Sequence, residues 1–423
     1  MLDVEEMRDP DAATWDRLLR ESPGGGHALQ THAWGAFKAT RGWMPLRLAL
    51  TDAGQVRGVG QVLVRRMPGA GVSVAYCPKG PWIDWSNADE TRAMLRGMER
   101  VARDHGASLL KIESELTCGP GQPTTIPPSV DGLVRRTIAT ARTIRHPRLP
   151  GRPGAVAEER AGMANEDGRV AEARAALLAM RVRQALDGRT PGRRVFTERG
   201  FVKARWDPQF RTTMLVDLDR PPEEMLARMK GKWRYNIALA RRKGVTVVED
   251  NSPAARRTLY DLYAQTVRRN GLTGGRPWAY AADSWGAMID AGHAHIFLAY
   301  HGGHPLAGVL AYTFGSKVWY QVGASVTEGR AVMPAHALQF HVMRWAWERG
   351  LRTYDLVAIP NMETVGARDS MWGLYVFKSG FGGYPVEWVG CLDKALDPRG
   401  HAWEALEPAY YRLYKWRTGD ILY

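Results

Sequence analysis

HIFLAYHGGHPLAGVLAYTFGSKVWYQVGAS, residues 295–325, reads as three strands joined by short turns: HIFLAY (295–300), HPLAGVLAYTF (304–314) and KVWYQVGAS (317–325). A helix, PAHALQFHVMRWAWERG, and a further strand, TYDLVAI, follow. The same order occurs earlier in the chain. LRLAL (46–50), QVRGVGQVLV (55–64) and GVSVAYCPKG (71–80) precede a helix, ADETRAMLRGMERVARDHG, and a strand, SLLKIESEL. Both helices end at a glycine, Gly106 and Gly350, as a left-handed C-terminal cap requires. The repeated order predicts two similar α/β units with mixed sheets.

That order is similar to the acetyltransferase fold, in which a mixed sheet splays open to admit an acyl donor. Coenzyme A enzymes of that fold carry a glycine-rich pyrophosphate loop at a strand-to-helix junction, where backbone amides and a helix N-terminus cradle phosphate. QVRGVG (55–60) has the right letters in the wrong place. It lies inside a predicted hairpin, so its amides are expected in the ladder. The junction segments GPWIDWSNADE and GASVTEGRAVMPAHA offer no comparable cradle. No cofactor is therefore expected.

The chain has 423 residues, too many for one typical core, and 45% of them are hydrophobic. No apolar run approaches the roughly 18 residues of a membrane helix, and MLDVEEMRDP is acidic where a signal peptide would be basic. A cytoplasmic protein is expected. Cys77, Cys118 and Cys391 are odd in number and lack metal-ligand spacing, so neither a disulfide framework nor a metal site is expected. The net charge of +14 and pI near 9.8 point to a polyanionic partner: RNA, a nucleotide-linked substrate or an anionic membrane surface.

Residues 118–195 contribute about half of that excess charge, through arginines and no lysine. Pro, Gly and Arg replace the periodic apolar pattern there, which predicts a flexible, disordered insertion, with one helix at AEARAALLAMRVRQAL (171–186). The expected organisation is a first acetyltransferase-like unit at 1–117, completed by 196–217 after the insertion. A second such unit spans 218–392, and a C-terminal helical segment, 393–423, packs back on the core.

PPEEMLARMKGKWRYNIALARRKG (221–244) is predicted as one helix linking the units, with prolines and glutamates at its start and cations at its end. Within it, Lys230, Lys232 and Arg234 stand beside Trp233 and Tyr235. This is either a solvated basic face or a cationic phosphate site in which a guanidinium grips bidentately. LQTHAWGAFKATRGW (29–43) is predicted as a short helix capped by Thr31 and stopped at Gly42, with Trp34 and Lys38 on one face.

Four stretches together carry a resemblance: LQTHAWGAFKATRGW, KGKWRYNIALARRKGV, the helix end TVRRNGL, and GLYVFKSGFGG followed by VEWVGCLD. In this order and spacing the chain, apart from 118–195, resembles the FemABX family of aminoacyl-tRNA-dependent peptidoglycan bridge transferases. The resemblance implies two acetyltransferase-like domains and transfer of an amino acid from aminoacyl-tRNA to an amine of a UDP-linked or lipid-linked muropeptide precursor. It also implies that Lys38, with Arg234 or Lys232, holds the precursor's phosphates, with Trp34 and Tyr235 beside them. Peripheral contact with the inner face of the plasma membrane would accompany a lipid-linked acceptor. A coenzyme A-dependent acyltransferase and a non-catalytic RNA-binding protein are the alternative readings.

The chemistry gives Lys378 a role. An amine attacking an ester builds negative charge on the carbonyl oxygen, which a fixed cation stabilises. Lys378 lies between Phe377 and Phe381, which are expected to restrict water, and before Gly380, Gly382 and Gly383, which are expected to admit substrate. Near its reference pKa of about 10.4 it would stay protonated, suiting an electrophile and not a base. For the base, KIESEL offers Glu113 and Glu115 on one strand face, with Glu113 the closest counterpart of a family aspartate; the alternative is that both face solvent at a strand end. No histidine has a partner legible in the sequence. WEALEPAYYRLYKWRTG (403–419) is an aromatic-basic helix that could dock on the core, a membrane surface or RNA.

Overall fold

The computed structural model describes residues 1–117, 191–271, 275–360, 371–419 and 422–423; most of the expected insertion and its helix at 171–186 lie outside them. The first half runs β1 (Asp3–Met7), α1 (Ala12–Glu21), α2 (His32–Ala39), β2 (Met44–Asp52), β3 (Gln55–Arg66), β4 (Ser73–Pro78), α3 (Ala88–Asp104) and β5 (Leu109–Thr117). Beyond residue 190 come α4 (Pro191–Glu198), β6 (Val202–Lys203), β7 (Thr212–Asp217), α5 (Pro222–Arg228), α6 (Gly231–Arg242) and β8 (Thr246–Glu249). The second repeat follows α7 (Pro253–Arg269) and α8 (Trp278–Asp290) as β9 (Ala294–His301), β10 (His304–Phe314), β11 (Lys317–Ser325), α9 (Pro334–Glu348) and β12 (Thr353–Ala358). The chain closes with α10 (Trp372–Ser379), β13 (Tyr384–Ala395) and α11 (Pro398–Thr418).

In each repeat a three-stranded antiparallel meander is followed by a helix and a strand parallel to the third: β5 beside β4, and β12 beside β11. This is the repeated order expected from the sequence. The meanders merge into one 13-stranded sheet of order β1-β2-β3-β4-β5-β13-β7-β12-β11-β10-β9-β8, with β6 also on β13. The seam is β13. Its first residues pair with β7 (Tyr384 opposite Leu215), and its later ones pair with β5 (Cys391 opposite Glu113). β7, grouped with the first unit in the sequence reading, hydrogen-bonds β12 of the second.

QVRGVG does lie in the ladder, with Gly58 opposite Leu50 and Gly60 opposite Leu48. Gly58 is required by close approach: a Cβ there would stand 2.5 Å from the Trp82 carbonyl oxygen. Gly106 and Gly350 take φ of +73° and +74°, the caps anticipated for α3 and α9.

Two expectations need correction. The expected insertion ends early, because residues 191–195 begin α4, whose Val195 and Phe196 are buried, with Phe196 stacked 5.6 Å from Trp85. The linking helix is two helices. Met229 turns extended to bury its side chain, and the Lys230 N–H bonds the Gly380 carbonyl at 3.0 Å. The Arg234 guanidinium then satisfies the carbonyls of Ala227 (3.2 Å) and Met229 (2.5 Å) at the broken end.

One apolar cluster packs α3 on the first sheet half and another packs α9 on the second, while a third joins the halves through Trp43 and Tyr76 on one side and Tyr280 and Phe314 on the other. A polar knot fastens α11 to the seam. Lys111 of β5 donates to Asp393 of β13 at 2.8 and 2.9 Å and to Glu407 of α11 at 3.1 Å, all three buried. Glu407 also accepts from Trp206 at 3.0 Å and from the Tyr423 hydroxyl. Lys111→Met would leave two carboxylates buried without their cation, and should destabilise the protein by about 3–5 kcal/mol in urea unfolding at neutral pH. A loss below about 1 kcal/mol would show that the knot does not hold α11 in place.

Candidate active site at the opening between β11 and β12

β11 and β12 pair only at Lys317–Trp319 with Thr353–Asp355, and then part. At that point the register of β12 against β7 shifts between Asp355 and Ala358, and Val357 takes φ of +53°, a region a β-branched residue enters only when its surroundings hold it. Asp355 is what holds it. Its Oδ1 accepts from the Val357 N–H at 2.7 Å and from the Thr213 hydroxyl.

The kink turns two carbonyls toward one amine. Lys378 Nζ, on α10, donates to Val357 O at 3.2 Å and Ala358 O at 2.7 Å, and lies 5.5 Å from the Tyr320 ring centroid. Only 3% of Lys378 is exposed. Burial lowers its pKa to about 7, against the opposing charge of Asp355. The expectation of an ordinary lysine is therefore corrected: near neutrality this amine is divided between its two protonation states. Burial, helped by Glu115, raises Asp355 to about 6.

The rings and glycines flanking Lys378 have other work than expected. Phe377 and Phe381 meet edge to face at 5.0 Å, and both pack on His336, away from the ring beneath Lys378, which is Tyr320. Gly380 leaves room for the protein's own Trp233, whose ring would lie 2.1 Å from a Cβ there. Burial lowers the pKa of His336 to about 4.

Glu113 is buried and the Glu115 side chain is only 5% exposed, so a solvated strand end is ruled out. Glu113 accepts from the Tyr76 hydroxyl at 2.6 Å and from the Gln209 N–H at 2.9 Å, which engages both its oxygens, and burial raises its pKa. Those two bonds suit it to positioning better than to the expected role of base. Glu115 lies 3.3 Å from Lys317 Nζ and 3.5 Å from His27 Nε2. Burial works to raise its pKa, but Lys317, His27 and Lys79 outweigh it. His27, whose Nδ1 accepts from the Leu29 N–H at 2.9 Å, is lowered by burial to about 3 against the opposing pull of Glu115. Lys79 is the electrostatic neighbour of Glu113, Glu115 and Asp355 together. A buried charged seam thus runs from the first half to Lys378.

The residues expected to hold phosphate are divided. Lys38 is 2% exposed and lies among Trp43, Trp34 and Tyr280 at 5.3, 5.6 and 6.0 Å, under cover and not on an open face. Around it the buried Trp34 Nε1, Trp43 Nε1 and Arg276 Nη1 lack hydrogen-bond partners among the described residues. Arg234 serves the end of α5, as above, while Lys232 and Tyr235 are exposed, Tyr235 beneath Arg242 at 5.7 Å. Asp355, Tyr320, Lys79, Lys317 and His27 were missed in the sequence. Asp355 alone carried a signal, an acid inside the apolar strand TYDLVAI. Among the described residues, no group of three or more His, Cys, Asp and Glu gathers to hold a metal, and no helix is long and apolar enough to cross a membrane.

Two tandem units of this kind, with a buried lysine at the splay of the second, define an acetyltransferase-like (GNAT) double-domain protein. A family model described as an acetyltransferase (GNAT) domain matches residues 227–369, and one described as the FemAB family matches residues 12–119. A lipid II:glycine glycyltransferase of Staphylococcus epidermidis is 21% identical over 93% of this chain and 94% of its own length. One from Staphylococcus aureus is 21% identical over 90% and 91%. The fold is that of the crystal structure of FemX, with a TM-score of 0.71, 20% identity and coverage of 95% of this chain and all of that one. The FemAB family match and the aligned glycyltransferases support membership of the FemABX family.

The Lys378 shift is testable through stability. In the folded protein the amine gives up its proton near pH 7, and in the unfolded chain near the ordinary lysine value. Between the two, the unfolded state binds more protons, so this group makes stability rise with pH. The urea midpoint of the wild type relative to Lys378→Met should climb from pH ~7 to ~10; a constant difference would mean that the pKa is not lowered.

Proposed function

We propose that this protein transfers an amino acid from aminoacyl-tRNA to an amine on the stem peptide of a lipid-linked peptidoglycan precursor. The observation that carries the reading is Lys378, a buried amine held by two carbonyls at the opening where β11 and β12 part. The lipid-linked acceptor and the bridge-forming reaction are supported by the lipid II:glycine glycyltransferases that align over nearly the whole chain.

The acceptor nitrogen attacks the ester carbonyl carbon. The C–N bond forms, the ester C–O bond breaks, and the nitrogen's proton ends on the departing tRNA hydroxyl. Protonated Lys378 meets the charge developing on the carbonyl oxygen, in a site dry enough for that charge to be felt strongly. Asp355 acts through it, fixing the carbonyls that orient the amine and favouring its charged form. The cluster around Lys38, with its unpartnered buried donors, is suited to receiving an acceptor phosphate once the cover of Trp34 and Trp43 shifts.

The lowered pKa favours a second reading, in which neutral Lys378 takes the proton as a base. The two differ in sign with pH. An electrophilic Lys378 loses activity as pH rises through about 7, and a basic one gains it. Initial rates of label transfer from charged tRNA to lipid-linked acceptor should fall about 100- to 1,000-fold in Lys378→Ala, with acceptor affinity little changed. Lys378→Arg, always charged, should lose the alkaline fall. Asp355→Asn should move that fall to lower pH, because the charge that supports the protonated amine is gone. Unimpaired transfer by Lys378→Ala would remove the mechanism, and transfer that persists after RNase treatment would remove the donor.

A further inference from the structure

We propose that the outward face of α11 is a docking surface for an anionic lipid bilayer. The inward side of this helix is accounted for: Trp403 and Glu407 are buried, Tyr410 donates to Pro68 O at 2.8 Å, and Arg65 lies 5.9 Å from the Tyr414 ring. The outward side is not. Leu406, Leu413 and Trp416 are 60%, 59% and 82% exposed, and with exposed Ala409 they recur every three or four residues as a single stripe.

The charges beside the stripe have one sign. Arg412 and Arg417 are exposed next to it, with Lys415 between them. The sole carboxylate in 405–419 is Glu407, which is turned inward onto Lys111. An apolar stripe rimmed by cations, with an indole at one end, is the pattern of a helix lying in a membrane interface, where the side chains enter the acyl boundary and the cations meet lipid phosphate. A second copy of the chain is the poorer occupant. Isologous pairing would set this cationic rim against itself, with no exposed anion along 405–419 to relieve it. The inference rests on the reading above only for its use, since a lipid-linked acceptor would be met at that surface; the stripe and its charges stand without it.

The test is co-sedimentation of the full chain with vesicles of phosphatidylcholine alone and of phosphatidylcholine with phosphatidylglycerol. The wild type should partition onto the anionic vesicles and release as salt is raised. The double variant Leu413→Ser, Trp416→Ser should bind about tenfold or more weakly, with an unchanged circular dichroism spectrum and unfolding midpoint because both side chains point to solvent. Equal binding by the variant, or none by the wild type, would overturn the proposal. So would a concentration-dependent dimer, dissolved by the same substitutions, in a protein that ignores vesicles. Vesicle binding needs no transfer assay: binding lost in the variant, from a wild type that transfers nothing from tRNA, would leave the docking surface standing and the transfer reading fallen.

Discussion

Everything at the candidate site depends on β13 belonging to two half-sheets at once. Its first residues complete the second half through β7 and its last ones complete the first half through β5. The sheet is therefore continuous through the seam, and side chains there are covered by elements packed on its faces, as α11 covers Lys111 and Asp393. That is why so many charged groups beside it are buried, Lys111, Glu113, Asp393 and Lys378 among them. Each needs a protein partner, since an unpaired charge at such depth is far costlier than a paired one. Lys111 has two carboxylates, and Glu115 has a lysine and a histidine. Lys378 is the exception, held by carbonyl dipoles and one nearby carboxylate, and its pKa is lowered accordingly.

The strain at Val357 belongs to the same arrangement. A valine at positive φ costs on the order of 1–3 kcal/mol. The cost is met locally by Asp355, which caps the Val357 N–H, and by Thr213, which anchors Asp355 from β7. The kink frees two carbonyls from the ladder and points them at a helix behind the strand. A regular strand would have spent them on β7 or β11 and left Lys378 with nothing to orient it.

The fold was legible because it rests on local signals repeated twice: three apolar runs, a helix stopped by a glycine, and a strand. Lys378 and Lys38 were singled out through resemblance, but their environments were not readable there. For Lys38 two of the three covering rings, Trp34 and Trp43, are local and only Tyr280 comes from afar, whereas for Lys378 neighbours in the chain misled. Phe377 and Phe381 flank Lys378 in sequence and face His336 in space, while the ring that touches it, Tyr320, lies 58 residues away in sequence. The break in the linking helix left one local sign, Gly231 at the start of the second helix, while the bond from Lys230 to Gly380 that accompanies it reaches across the fold. His27, Lys79 and Lys317 belong to separate elements that topology alone brings around Glu115.

The duplication does not leave two equivalent openings. In the first half β4 and β5 stay paired from Val74–Leu109 to Pro78–Glu113, and the chain beyond β4 folds straight back onto β3. There Val59 and Trp82 exchange backbone hydrogen bonds at 3.0 and 2.8 Å, and Pro81 and Ile83 press on Gly60 and Gly58 so closely that no side chain would fit. The position that could admit an acyl donor is filled by the protein's own backbone. In the second half the parallel pairing stops at Trp319 and Asp355, and the kinked strand and Lys378 lie just beyond. QVRGVG, whose glycines resemble a phosphate loop, is the groove that accepts the first half's own chain. The glycines that look most like a ligand site are those that close one, and the first half turns buried charges, Glu115 and Lys79, toward Asp355 of the second.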